Sequence, residues 1–308
     1  MADSNNFYFA FKFIMIACIP FYIFGFIGNI LIIRIVYKTR EMHTTTNYLL
    51  ANLAASDLVV ILMSSFYSVC FGGPDFVASV NDDFAKFSFT FIVVLHISVT
   101  SSVLTLTLLA VERYHAILKP FWSNSRLHEE SIKRAIFVIW FLSIVIGFPG
   151  FFLVRSSKEH LCIGSSGVAI YFLINSTFTA YIPAVVFLFC YGSLIKGLYF
   201  SGTILAENTN EDNSEKRKLI VTFILATIGF LIGYGPIVVL DTVCLGMEIN
   251  DELFLKLFDI FILLFDIILC LNPVLYAFRS SNFKEGFKRV LFSRCLRSST
   301  QQNENQLA

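Results

Sequence analysis

Seven stretches of this chain are apolar for far longer than any soluble helix needs, at about 13–37, 46–71, 85–117, 132–154, 167–199, 216–246 and 252–279. A bilayer's hydrocarbon core, about 30 Å thick, takes roughly 20 apolar helical residues to cross. Backbone groups in lipid must be satisfied within their own segment, so each stretch is expected to be a helix. The alternation that marks an outer-membrane barrel strand is absent. Composition agrees: AVILMFWYC make up 56% of the 308 residues, 35 of them Phe, and charged residues only 15%. Disordered, collagen-like and disulfide-scaffold chains are excluded. The expected fold is an all-α membrane protein, a seven-transmembrane helix bundle occupying 1–295 as one domain.

Charge orients that bundle. Of 23 Lys and Arg, all but Lys12, Lys86, Arg155, Lys158 and Lys256 fall in the loops after the first, third and fifth stretches, the adjoining helix ends, or the C-terminal tail. The positive-inside rule then puts the N-terminus outside and the C-terminus in the cytoplasm. The first stretch does not read as a cleaved leader, because it is too long and its basic residues (Arg34, Lys38, Arg40) follow it. After the seventh, Ser281 to Leu291 sets Phe283, Phe287, Val290 and Leu291 against Lys284, Lys288 and Arg289. That pattern predicts a short amphipathic helix on the inner leaflet, in contact with membrane lipid. Cys295, just beyond, is a candidate for palmitoylation, with an unmodified thiol as the equal alternative. The polar tail 296–308 is expected to be disordered. No cysteine pair has metal-binding spacing, no nucleophile–base pair or cofactor loop suggests an enzyme, and no basic patch suggests nucleic acid.

Polar groups at membrane depth are costly and therefore informative. They come one set per stretch: Asn29; Asp57; Glu112-Arg113-Tyr114; Trp140; Pro183 with Tyr191; Phe230 with Pro236; and Asn272-Pro273-Val274-Leu275-Tyr276. Singly each is weak, but their order and depth together are specific. In this the chain resembles a rhodopsin-like (class A) G protein-coupled receptor over essentially its whole length. The resemblance implies an extracellular ligand bound in the outer half of the bundle, an outward swing of helix 6, and a heterotrimeric G protein at the inner face. It assigns the inner switch to Glu112, Arg113, Tyr114, Tyr191, Asn272, Pro273 and Tyr276. It also implies a mid-bundle polar cluster of Asn29, Asp57, Ser102 and Asn272, which in the family often holds a sodium ion. No other cofactor is expected. The lesser alternative is a protonated, satisfied core carboxyl at Asp57 with no ion, since Ile268 and Leu269 stand where many relatives offer polar partners. Two other functions remain open from the residues: a receptor-like protein without its own ligand, and, less well supported, a seven-helix transporter.

Departures from the family pattern carry their own expectations. The toggle tryptophan is Tyr234, between Gly233 and Gly235, and two glycines there are expected to loosen the helix. The usual outer cysteine of helix 3 is Ser88, which leaves Cys162 without its family partner, and Cys70 is the conceivable substitute. Lys216 stands where many relatives place the glutamate that restrains Arg113. The retinal-lysine position is Asp266, which excludes an opsin, and the monoamine-anchoring aspartate is Leu95. Asn175-Ser176-Thr177 fits a glycosylation sequon but lies inside the fifth stretch. Asp241, Asp259 and Asp266 all belong to the outer halves of stretches 6 and 7. Together with Tyr234 and His96 they suggest one acidic cavity for an amine or guanidinium, more plausibly on a short peptide than on a monoamine; the equally weighted alternative is that Asp259 faces solvent and Asp266 pairs with a hydroxyl of the second or third stretch.

Overall fold

The computed structural model describes residues 2–71, 82–118, 129–150, 152, 166–199, 210–246, 251–279 and 283–288. Among these, seven long helices appear: α1 (Ala2–Lys38), α2 (Thr45–Phe71), α3 (Asp82–Leu118), α4 (Glu129–Gly147), α5 (166–199), α6 (Asn210–Gly246) and α7 (Asp251–Arg279). A short α8 follows at 283–288. All seven predicted stretches are helical where described. The helix ends differ from the apolar limits because hydrogen bonding, not greasiness, ends a helix. Thus α1 starts eleven residues before the predicted 13, and its added turns stack Phe7 on Phe11 at 5.9 Å beneath the Lys256 ammonium. By contrast α4 ends at Gly147 and Phe148 is a turn before helical residues resume at Pro149, whose missing N–H breaks the hydrogen-bond ladder there.

The helices form a ring around α3, which packs on α2, α4, α5 and α6; α1 closes the ring between α2 and α7. Small residues set two of these contacts. A Cβ at Gly25 would overlap Cys270, and one at Gly28 would come within 2.7 Å of the Pro273 ring. So α1 lies directly on α7. Outward faces are apolar and uncovered, with Leu188 76% and Phe137 71% exposed. Bilayer hydrocarbon is the medium that matches such faces. Stretches apolar enough to cross are Phe9–Lys38, Thr45–Phe66, Val93–Leu118, Ile170–Gly197 and Ile220–Val243; α4 and α7 complete the seven.

Proline falls inside α6 (Pro236) and α7 (Pro273). In α5 the missing N–H of Pro183 leaves the Thr179 carbonyl without its usual donor, and the chain widens there into a π-helical turn, Thr177–Tyr181. The amphipathic pattern of α8 holds over its described residues: Phe283 is buried against Tyr276 at 6.1 Å, while Lys284 and Lys288 are exposed. Cys162, Cys295 and the tail lie outside the described residues, as do the side chains of Cys70 and Lys216.

Candidate functional site

Three polar layers cross the bundle. The middle one is a ladder between α2 and α3. Asn52 donates to Thr105 at 2.8 Å, Ser56 to Ser101 at 2.9 Å, and Ser102 to Asp57 Oδ1 at 3.1 Å. Trp140 extends it to α4 by donating to Asn52 Oδ1 at 2.9 Å, and Asn272 extends it to α7 by donating to Asp57 Oδ2 at 2.8 Å. Asp57, Ser102 and Asn272 therefore meet as expected. Asn29 is equally buried, but its amide turns to the Gly25 carbonyl of its own helix at 3.0 Å. Asn52, Ser56, Ser101 and Thr105 were not singled out from sequence. Their i,i+4 spacing on two neighbouring helices is the signal that could have found them.

The sodium ion implied by the resemblance fits this layer poorly. Both Asp57 oxygens already accept hydrogen bonds, one from an amide that cannot ligate a cation through its N–H. The adjacent turn of α7 contributes Ile268 and Leu269, which bring no oxygen.

The inner layer holds Arg113. Its Nε donates to Glu112 Oε2 at 2.6 Å, and its Nη2 reaches the Thr46 hydroxyl. Thr45 and Thr46 of α2 each donate to a Glu112 oxygen at 3.3 Å. From α6, the Phe223 ring lies under the guanidinium at 5.9 Å. Tyr191 hydrogen-bonds Thr227 across α5 and α6 at 3.1 Å, and Tyr114 packs on Phe189 at 5.4 Å. The Tyr276 hydroxyl is buried with no partner among the described residues, just above α8. Thr45, Thr46 and Phe223 were not legible in advance, because only tertiary packing puts them beside Arg113.

The outer layer divides in two. On one side, Tyr234 stacks with Phe230 (5.5 Å) and Phe265 (5.6 Å), and its hydroxyl shares a 3.3 Å bond with Thr179 in the π turn. Gly233 does not loosen α6 as its sequence context suggested. A Cβ there would press on Phe265 and Ile268 at 3.0 and 3.1 Å, so this glycine is where α7 packs on α6. Gly235 faces open space. Two turns outward from Tyr234, Asp241 is 9% exposed, close enough to Tyr171 and Tyr234 to act on both electrostatically, with no hydrogen bond or ion pair among the described residues. Asn175 on α5 is 2% exposed and its Oδ1 has no partner among the described residues. Burial also removes Asn175 from reach as a glycan acceptor.

On the other side, Asp266 is fully buried between α1, α2 and α7 and accepts from Tyr22 at 3.1 Å. The single acidic cavity expected from sequence is thus two separate sites. The reason is angular: α6 and α7 are neighbours, but Asp241 turns towards α5 and Asp266 towards α1. Asp259 is half-buried on the outer part of α7, and His96 half-buried on α3 beside buried Leu95.

The order of these layers is that of a signalling receptor, and the family model for the 7 transmembrane receptor (rhodopsin family) matches residues 28–276. The chain belongs to that family. It is a class A G protein-coupled receptor, a multi-pass protein of the plasma membrane. Among similar proteins, the somatostatin receptor type 2 of Sus scrofa is 26% identical over 282 residues, covering 87% of this chain and 74% of its own. The QRFP-like peptide receptor of Branchiostoma floridae is 26% identical over 303 residues, covering 90% and 76%. A purinoceptor of Gallus gallus is 25% identical over 306 residues, covering 92% and 80%.

Proposed function

We propose that this receptor is activated from outside by a short peptide carrying a guanidinium or amine, whose cationic group docks at Asp241. The observation that carries this reading is the niche itself. The Asp241 carboxylate is buried with no ion pair among the described residues, close enough to Tyr171 and Tyr234 to act on both electrostatically. A planar cation with several N–H donors would pair with that carboxylate in a fork and meet aromatic faces close by. The Branchiostoma floridae relative is named as a peptide receptor, which supports a peptide over a free amine; so does Leu95, which leaves α3 without an amine anchor. The distribution of basic residues supports an extracellular N-terminus.

In this reading, the occupied niche pulls on Tyr234 through the Thr179 contact, and Tyr234 passes the change to Phe230 and Phe265 on the α6–α7 interface. Pro236 lets α6 bend, Phe223 leaves Arg113, and the guanidinium becomes available to the G protein. A screen of short Arg-containing and amidated peptides, read by G protein activation, tests this. A cationic peptide agonist that loses potency in Asp241→Asn supports it. An anionic nucleotide agonist indifferent to that change overturns it.

A further inference from the structure

A hydroxyl inside an apolar helix ordinarily returns its proton to a carbonyl one turn back in the same helix. Thr222 and Thr242 of α6 do so, donating to the Lys218 and Val238 carbonyls at 2.8 and 2.7 Å. Thr227 lies between them, 1% exposed, and its hydroxyl pairs instead with the Tyr191 hydroxyl of α5 at 3.1 Å. Tyr191 is itself buried, stacks on Phe187 at 6.1 Å, and stands close enough to Arg113 to feel its charge. Two buried hydroxyls on different helices thus satisfy each other.

Two further pairs join the same helices: Thr179 with Tyr234 at 3.3 Å and Tyr181 with Thr242 at 2.9 Å. What sets the three apart is their place relative to Pro236. Tyr234 is two residues before that proline and Thr242 six after it, so these pairs sit at or beyond the bend. Thr227 is nine residues before it, about 13 Å along the helix towards the inner mouth. Phe223, which covers Arg113, is one turn further in and on the same face as Thr227. An outward movement of the inner half of α6 therefore parts Thr227 from Tyr191 and leaves the outer pairs closed. Until water enters, both freed hydroxyls are unpaired in an apolar interior, which opposes the movement.

We propose that Thr227 is a positioning residue that latches α6 to Tyr191 in the resting receptor, a neutral restraint in place of the acid that many relatives carry at Lys216. The latch depends on the α6 movement of the proposed function and not on its ligand.

The test is agonist-free nucleotide exchange by a panel of heterotrimeric G proteins on the purified full-length receptor, at matched receptor amount, with Tm measured beside it. Thr227→Val keeps the shape of the side chain and removes the hydroxyl, and should raise exchange about fivefold. Thr227→Ser keeps the hydroxyl and should match wild type. Tyr181→Phe breaks an outer pair between the same helices and should leave exchange at the wild-type rate, even where its Tm falls. That contrast separates a latch from a merely structural bond. Unchanged exchange in Thr227→Val, an equal rise in Tyr181→Phe, or a serine variant that behaves like the valine one overturns the proposal. If Thr227→Val does not fold, Thr227→Ala is held to the same outcomes. Should Phe223→Ala raise exchange while Thr227→Val does not, the latch falls and the α6 movement stands; if neither does, both fall.

Discussion

The inner and outer ends of the bundle treat their charges in opposite ways. Arg113 is held by Glu112, Thr46 and Phe223, on three helices, and Glu112 in turn accepts from Thr45 and Thr46. Asp241 and Asp266 are more deeply buried, yet neither has an ion-pair partner among the described residues. A paired buried charge resists change, whereas an unpaired one gains free energy from whatever pairs it. The difference therefore points the receptor: the inner end is closed on itself, and the outer end waits for a cation.

Removing the inner charge should have the largest effect. Arg113→Ala is expected to abolish G protein activation while surface expression persists; full nucleotide exchange by that variant would contradict the assignment of Arg113 to the partner interface. Next is the outer charge. Asp241→Asn keeps the shape and removes the anion, which should cost about 2 kcal/mol of agonist binding, roughly thirtyfold in potency. An unshifted dose–response curve would move the anchor elsewhere.

Smaller effects sharpen the same contrast. Phe223→Ala removes a cation–π contact of about 0.5–2 kcal/mol and should raise ligand-free signalling by that much in the population of the open state. Basal activity equal to wild type would mean that Phe223 packs on Arg113 without restraining it. Lys216→Glu should lower ligand-free signalling most gently, by adding the acid that many relatives carry at this position. Its check is basal second-messenger output at matched expression, and no change from wild type would remove Lys216 from the account of basal activity.

Much of this was readable from residues alone. Seven apolar stretches dictate seven helices because a backbone in lipid has no other way to satisfy its N–H and C=O groups. The cost of polar groups at that depth makes Asp57, Arg113 and Asn272 stand out in a Phe-rich chain. The meeting of Asp57 with Ser102 and Asn272 is what the resemblance to the receptor family implies. Local chemistry also speaks for itself at Pro149, which breaks the hydrogen-bond ladder where α4 ends, and along 283–288, where apolar and basic positions separate.

Other features belong to the tertiary structure, because they depend on how each helix is rotated about its axis. Rotation separates Asp241 from Asp266, although both lie in the outer halves of adjacent helices. It makes Gly233 a seat for Phe265 and Ile268 where its neighbours suggested slack. It brings Thr46 and Phe223 to Arg113 in place of the missing acid. A sequence records the depth of a residue through hydropathy and spacing, but an almost wholly apolar helix has no polar stripe to declare which way it faces. Only the packing of its neighbours, set here by glycines at 25, 28 and 233, decides that.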